Sequence, residues 1–270
     1  MHYQHRYHAG NFADVFKHVL LIGLLESLNA KPAPWAYLDT HAGAGRYRWD
    51  DEALAKTGEA ENGARRLMAA ENLIGWVGHY AALLRDDDFM LPGSPAIAAA
   101  LRRDGDRLLL CENAPAVFDD LKAELRGPRI AVHQRDGYGA WALLPPPEKR
   151  GVVLVDPAFE ARDELEQMLT FAQHAIGRFA HGIYAFWYPV KGQYAVDRFA
   201  RRLAQQTGRE VLDARLTVSA PQDGRMCGCG LAIVNAPFAF ANQLPQELPA
   251  LVALLAQGHG AAHRIETHTP

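Results

Sequence analysis

Apolar residues recur along this chain with two alternating periods. After Asn11, a residue type that caps helix N-termini, Phe12, Val15, Phe16, Val19, Ile22 and Leu25 follow helical spacing. The pattern predicts a helix over residues 12–29, with Asp14 in its first turn and Pro32 and Pro34 beyond its end. Residues 35–39 are short, apolar and partly aromatic, which predicts a strand. It ends in Asp39 and runs into the glycine turn His41-Ala-Gly-Ala-Gly45. Further strands are predicted over 107–112, 129–134, 151–156 and 182–188, with helices over 95–103, 114–125, 160–179 and 194–207 and a short one over 137–144. Residues 151–156 are apolar up to Asp156, which predicts a strand buried on both faces. Paired late strands over 210–218 and 230–235, a helix from Pro237 and a loose tail after Gly258 complete the reading.

Strands that alternate with helices predict an α/β fold, with a mostly parallel sheet covered on both faces. Residues 46–92 break the rhythm. They carry helical patterns over 57–70 and 73–84, the solvated run Asp86-Asp87-Asp88 and no strand pattern. The expectation is a single domain over 1–270, with a small helical insertion at about 46–92 after the first strand.

Composition narrows the function classes. Apolar residues make up 49% of the 270, enough for a real core, so wholesale disorder is excluded. The net charge of −3 excludes a protein that coats nucleic acid through bulk charge alone, while leaving room for a local basic face. No apolar run approaches the roughly 20 residues of a membrane span, and the first ten residues lack a signal-peptide pattern. Three cysteines, Cys111, Cys227 and Cys229, argue for a reducing compartment, and the expectation is a cytoplasmic monomer. His2, His5 and His8 have no cysteine or carboxylate at ligand spacing, so no metal site is expected; RNA contact through His5 and Arg6 fits that tract better. Arg46, Arg48, Arg65 and Arg66 read equally as a solvated face or an RNA contact.

In open α/β sheets ligands bind beyond the carboxyl ends of the strands. Those ends carry Asp39 with its glycine turn, Glu112, the pair Asp136-Gly137, and Asp156-Pro-Ala-Phe159. A dinucleotide fingerprint needs a third glycine and an acid about 20 residues on. Here Gly43 and Gly45 are followed by Arg46, Tyr47 and Arg48, so NAD fits poorly. S-adenosylmethionine fits better. The glycines admit an amino-acid moiety close to the backbone, Glu112 can accept from both ribose hydroxyls, and Asp136 can accept from the adenine amino group.

The run Asp156-Pro157-Ala158-Phe159 points to the reaction. The lone pair of an exocyclic amine is delocalised into its ring, which makes it a poor nucleophile. A carboxylate (Asp156) and a backbone carbonyl (Pro157) can each accept one N–H and favour a pyramidal nitrogen. The charge that develops is stabilised electrostatically, and the carboxylate can take the proton. An aromatic at the fourth position, Phe159, can stack on an unstacked base.

This run resembles the D-P-P-Y signature of amino-methyltransferases acting on adenine N6. Together with residues 3–11, Ala13-Asp14, Lys17-His18, residues 37–47, Pro92-Gly-Ser-Pro95 and Trp187-Tyr-Pro189, it is similar to the RlmJ family over about residues 3–260. These are bacterial enzymes that methylate N6 of an adenine in 23S ribosomal RNA. The resemblance implies a Rossmann-like, S-adenosylmethionine-dependent methyltransferase fold. It implies cofactor contacts from His18, His41, Ser94, Glu112, Asp136, Gly137 and Asp156. It also implies catalysis by Asp156 and substrate contacts from Tyr3, Pro157 and Phe159. Ala158 and Phe159 depart from the family's proline and tyrosine: alanine keeps the carbonyl, and phenylalanine keeps the stacking face. The strand-end residues alone also suit a methyltransferase acting on DNA or a small molecule, or a weakly active RNA-binding relative.

Overall fold

The computed structural model describes residues 4–191, 193–221 and 224–270. Helix α1 (Phe12–Asn29) opens where the Asn11 side chain accepts the backbone N–H groups of Ala13 and Asp14, satisfying two donors that no helical turn can reach. Strand β1 (Ala36–Asp39) follows, fully buried. Then come β2 (Arg46–Arg48), α2 (Glu52–Thr57), α3 (Ala64–Ala69), α4 (Gly75–Arg85), β3 (Met90–Pro92) and α5 (Ser94–Leu101). Regular alternation resumes with β4 (Arg107–Glu112), α6 (Pro115–Glu124), β5 (Ile130–Gln134), a 3₁₀ turn (Gly137–Leu143), β6 (Gly151–Val155), α7 (Glu164–Arg178), β7 (Ile183–Val190) and α8 (Gln193–Thr207). The chain ends with β8 (Val211–Thr217), β9 (Gly228–Val234), α9 (Phe238–Leu255) and β10 (Ala262–His268).

Among the described residues eight strands form one sheet in the order β10-β8-β9-β7-β6-β1-β4-β5. From β7 to β5 every pairing is parallel, while β9, β8 and β10 pair antiparallel at the far side. The chain leaves β1 for β4 and β5 on one side, then returns to β6 and β7 on the other. Strand order therefore reverses at β1, the position where such sheets open a crevice. Apolar side chains form two clusters, one containing α1, α4, α5 and α9, the other α7 and α8. Every residue of β6 is buried, as its unbroken apolar run requires.

The structure departs from the sequence expectation in four places. Residues 46–92 are not strand-free: Arg46–Arg48 and Met90–Pro92 pair antiparallel in a separate two-stranded sheet. Three-residue strands are too short to show alternation. The helix expected over 57–70 is broken, because Gly58 at φ 63° closes α2 in a left-handed cap and a 3₁₀ turn follows. Helix α7 begins at Glu164 rather than 160, which leaves a longer loop after Asp156. The tail after Gly258 is not loose. Residues 262–268 add β10 to the open side of β8, and Ile265 packs on the core.

Candidate active site

The sheet order sets β6, β1, β4 and β5 side by side, so Asp156, Asp39, Glu112 and Asp136 gather on one carboxyl edge. Beyond β1, Gly43 at φ 62° turns the chain back, and a Cβ there would lie 2.4 Å from the Tyr47 hydroxyl. Glu112 fixes this turn to β4: its Oε2 accepts from Gly43 N at 3.1 Å and its Oε1 from Ala114 N at 2.8 Å. Asp136 caps the 3₁₀ turn through Tyr138 N at 3.1 Å and is otherwise exposed. Gly137 is buried because that turn sits directly on the end of β1. A Cβ would fall 2.3 Å from Thr40 O and 2.6 Å from the His41 ring.

Asp39 is fully buried. Its Oδ2 accepts from the hydroxyls of Tyr37 at 2.6 Å and Ser94 at 2.8 Å, and its Oδ1 from His41 N at 3.3 Å. Burial pushes this carboxyl up to about 6, although both hydroxyls pull the other way. His41 Nδ1 lies 2.7 Å from Thr40 Oγ1, and burial takes the ring down to about 4. His18 is buried with Nδ1 2.8 Å from the Tyr80 hydroxyl; its Nε2 has no hydrogen-bond partner among the described residues. Burial drives His18 down to about 3, so its ring is neutral at physiological pH.

On the other side of β1, Lys17 Nζ donates to Asp156 Oδ2 at 2.5 Å and to Asp14 Oδ1 at 2.8 Å. Burial works against the Lys17 charge, but the two carboxylates outweigh it and hold its pKa well above the usual lysine value. Asp14 also accepts from Gly10 N at 2.9 Å and from His5 Nε2 at 3.0 Å. Burial works against its charge, but His5 and Lys17 beside it hold the carboxyl well below the usual range. Pro157 is buried. Phe159 sits at φ 53°, a left-handed conformation that costs a non-glycine residue about 1–2 kcal/mol, with its ring edge-on to Trp187 at 5.7 Å. Glu164 Oε1 accepts from the Tyr138 hydroxyl at 2.6 Å and Oε2 from Ala161 N at 3.1 Å, tying the loop after Asp156 to the turn after β5.

The strand-end residues His41, Glu112, Asp136, Gly137 and Asp156 thus come together as the topology requires, and Ser94 joins them through Asp39. Tyr3 lies outside the described residues. Sequence reasoning gave Lys17 and Asp14 no role in the site and read Asp39 only as a strand-end acid. The available signal was two opposite charges, three residues apart, in a helix otherwise apolar on nearly every face. The arginines that sequence left open as a solvated face or an RNA contact all find partners within the fold. Arg46 pairs with Glu124 at 3.0 Å, Arg48 with Asp50 at 2.7 Å, Arg65 lies over the Trp49 ring at 4.0 Å, and Arg66 donates to Ala256 O at 2.7 Å. His5 is turned onto Asp14.

These residues suit a methyl donor with an adenosyl group and an amino-acid end. A buried neutral His18 Nε2 without a partner among the described residues, a carboxylate at each neighbouring strand end and a backbone turn open at Gly43 form that donor set. Comparison with known proteins decides the family. The family described as ribosomal RNA large subunit methyltransferase D, RlmJ, matches residues 32–266. The chain belongs to the RlmJ family. It is 34% identical to ribosomal RNA large subunit methyltransferase J of Haemophilus influenzae, covering 99% of each chain. It is 35% identical to the Escherichia coli protein of the same name, covering 92% of this chain and 91% of that one. A crystal structure of a Legionella pneumophila protein superposes with a TM-score of 0.87 at 32% identity, covering 97% of this chain and 98% of that chain.

Proposed function

We propose that the chain transfers a methyl group from S-adenosylmethionine to N6 of an adenine in 23S ribosomal RNA, acting in the cytoplasm as a monomer. The observation that carries this reading is the Asp156 carboxylate, held by the Lys17 ammonium at 2.5 Å at the head of an Asp-Pro-Ala-Phe turn in an RlmJ-family chain. Among the described residues no helix is long and apolar enough to cross a membrane.

His18, His41, Ser94, Glu112, Asp136 and Gly137 hold the cofactor in this reading. When bound, it supplies an electrophilic methyl group on a sulfonium. Glu112 accepts ribose hydroxyls, Asp136 accepts the adenine amino group, and Ser94 and His41 act beside the buried Asp39. On the substrate side, Asp156 accepts one N–H of the target amine and the Pro157 carbonyl accepts the other. Two acceptors turn the nitrogen lone pair out of conjugation. Lys17 occupies Asp156 Oδ2 and so fixes the direction of the remaining oxygen. The amine gains positive charge as its bond to carbon forms, and the nearby carboxylate stabilises that charge and takes the proton. Phe159 stacks on the base, with Tyr3 closing the pocket.

The test is radiolabelled methyl transfer to 23S ribosomal RNA from a strain lacking the native modification. Asp156→Ala should bind cofactor with nearly unchanged affinity and lose roughly 10²-fold or more of the transfer rate. Normal turnover by this variant would remove the assignment.

A further inference from the structure

We infer that the chain holds a backbone phosphate of its RNA substrate in a cavity between the β8–β9 turn and the α9–β10 loop, with Arg225 and His259 as the anion-facing groups. This rests on the ribosomal RNA reading above.

Strands β8 and β9 meet in a hairpin whose turn lies on the same carboxyl edge as Asp156, because Val190 at the end of β7 pairs with Gly228 at the start of β9. The α9–β10 loop reaches that edge too, since Ala262 pairs with Thr217. Main-chain bonds clamp the two loops together: Ala220 N donates to His259 O at 2.6 Å and Gln257 N to Val218 O at 2.8 Å. Cys227 N donates to Val190 O at 3.1 Å, which anchors the turn to β7. Between the loops is a cavity of about 300 Å³, lined in part by Ser219, Arg225, Gln257 and His259.

The lining chemistry favours an anion. Among the described residues it offers a guanidinium, an imidazole, a hydroxyl and an amide, and no carboxylate; Gln222 and Asp223 of the same turn lie outside them. Arg225 is exposed and has no ion-pair or hydrogen-bond partner among the described residues. That sets it apart from Arg46, Arg48, Arg65 and Arg66, whose partners already satisfy them. Lys191, one residue past β7, is also exposed and unpaired among the described residues, and stands between this cavity and the Asp156 loop in sheet order. Arg162 continues the line, but Glu160 and Asp163 beside it offset its charge.

Spacing favours an RNA strand over a free anion. β8 lies three strands from β6, about 14 Å at the usual ~4.8 Å interval. That is about four nucleotides of duplex rise from the target, within one continuous strand. Fixed cations at this distance set the register of the RNA and read no sequence.

The experiment measures binding of transcribed 23S ribosomal RNA to the full chain between about 50 and 200 mM KCl. One phosphate contact contributes about 0.7–0.9 to the slope of log K against log salt, or about threefold in affinity over that range. Arg225→Gln should lose that much slope with cofactor affinity unchanged, and Arg225→Lys should restore it. Arg209→Gln, at the opposite edge where α8 leads into β8, should keep the wild-type slope. An unchanged slope for Arg225→Gln, or an equal loss for Arg209→Gln, overturns the inference. A second arm titrates inorganic phosphate alone. If phosphate binds through Arg225 while the RNA slope is indifferent to Arg225→Gln, the cavity serves a free anion and the inference falls. Failure of the proposed function has a different signature, a wild type that binds the RNA and transfers no methyl group.

Discussion

Lys17 is the residue whose replacement separates the structural from the catalytic part of this site. Its side chain is 5% exposed and its ammonium sits between Asp14 at 2.8 Å and Asp156 at 2.5 Å. Lys17→Met keeps the apolar stem and removes the charge, leaving two acids without their shared cation. Removing one partner of a buried pair costs about 3–5 kcal/mol. Asp14 retains Gly10 N and His5, and Asp156 is 15% exposed, so the low end, about 3 kcal/mol, is expected. For a chain of this size that corresponds to a fall in Tm of about 6–12 °C. The deficit has a sign with pH. In the wild type the depressed Asp14 pKa contributes stability above the ordinary carboxylate range, and this is lost as pH falls through the folded value. Without Lys17 the Asp14 carboxylate loses one of the charges that depress it and binds protons more readily, so the gap between variant and wild type should be wider at pH 8 than at pH 5 in urea denaturation. Methyl transfer should fall by roughly 10²-fold, because Asp156 loses the contact that orients it. Lys17→Met with Asp14→Asn discriminates the two effects: it should regain most of the stability and none of the rate. A single variant as stable as the wild type at pH 8, or a double variant that recovers its rate, would refute the reasoning.

Two further outcomes follow from the same geometry. Phe159→Ala should weaken productive RNA engagement by about 1–3 kcal/mol of base stacking, read in kcat/KM, while Phe159→Tyr should be nearly neutral; equal kcat/KM for the alanine variant and the wild type would remove the stacking role. His18 and His41, at about 3 and about 4 when folded, take up protons only after the unfolded chain does, so each contributes stability that is lost as pH falls below about 6.5. The cofactor-free wild type should therefore lose stability relative to a His41→Asn variant between about pH 6.5 and 4 in urea denaturation; a difference that stays flat over that window would show that the His41 ring is not held neutral.

Local pattern was enough for much of this protein. Helix α1 with its Asn11 cap, the buried run of β6 and the alternation of strands with helices follow from side-chain periodicity, which acts within a few residues. The chemistry at the strand ends was legible for a related reason. A parallel α/β sheet brings strand carboxyl ends to one edge whatever the loops do, so His41, Glu112, Asp136 and Asp156 could be grouped before any contact was known. Contacts between distant segments were not legible. Lys17 and Asp156 are 139 residues apart, and only the placement of α1 against the edge of β6 puts an ammonium on that carboxylate. Asp39 gained its partner Ser94 from across 55 residues, and the arginines that looked free in sequence found acids, a ring and carbonyls elsewhere. Strand β10 is polar and half-exposed on an edge, with little apolar alternation to announce it, and its existence depends on the open side of β8. Sequence alone determined the main helices, the parallel strands and which residue types stand at the strand ends. Tertiary structure decided the partners, because pairing free energy depends on distance and burial, and neither is set by neighbours along the chain.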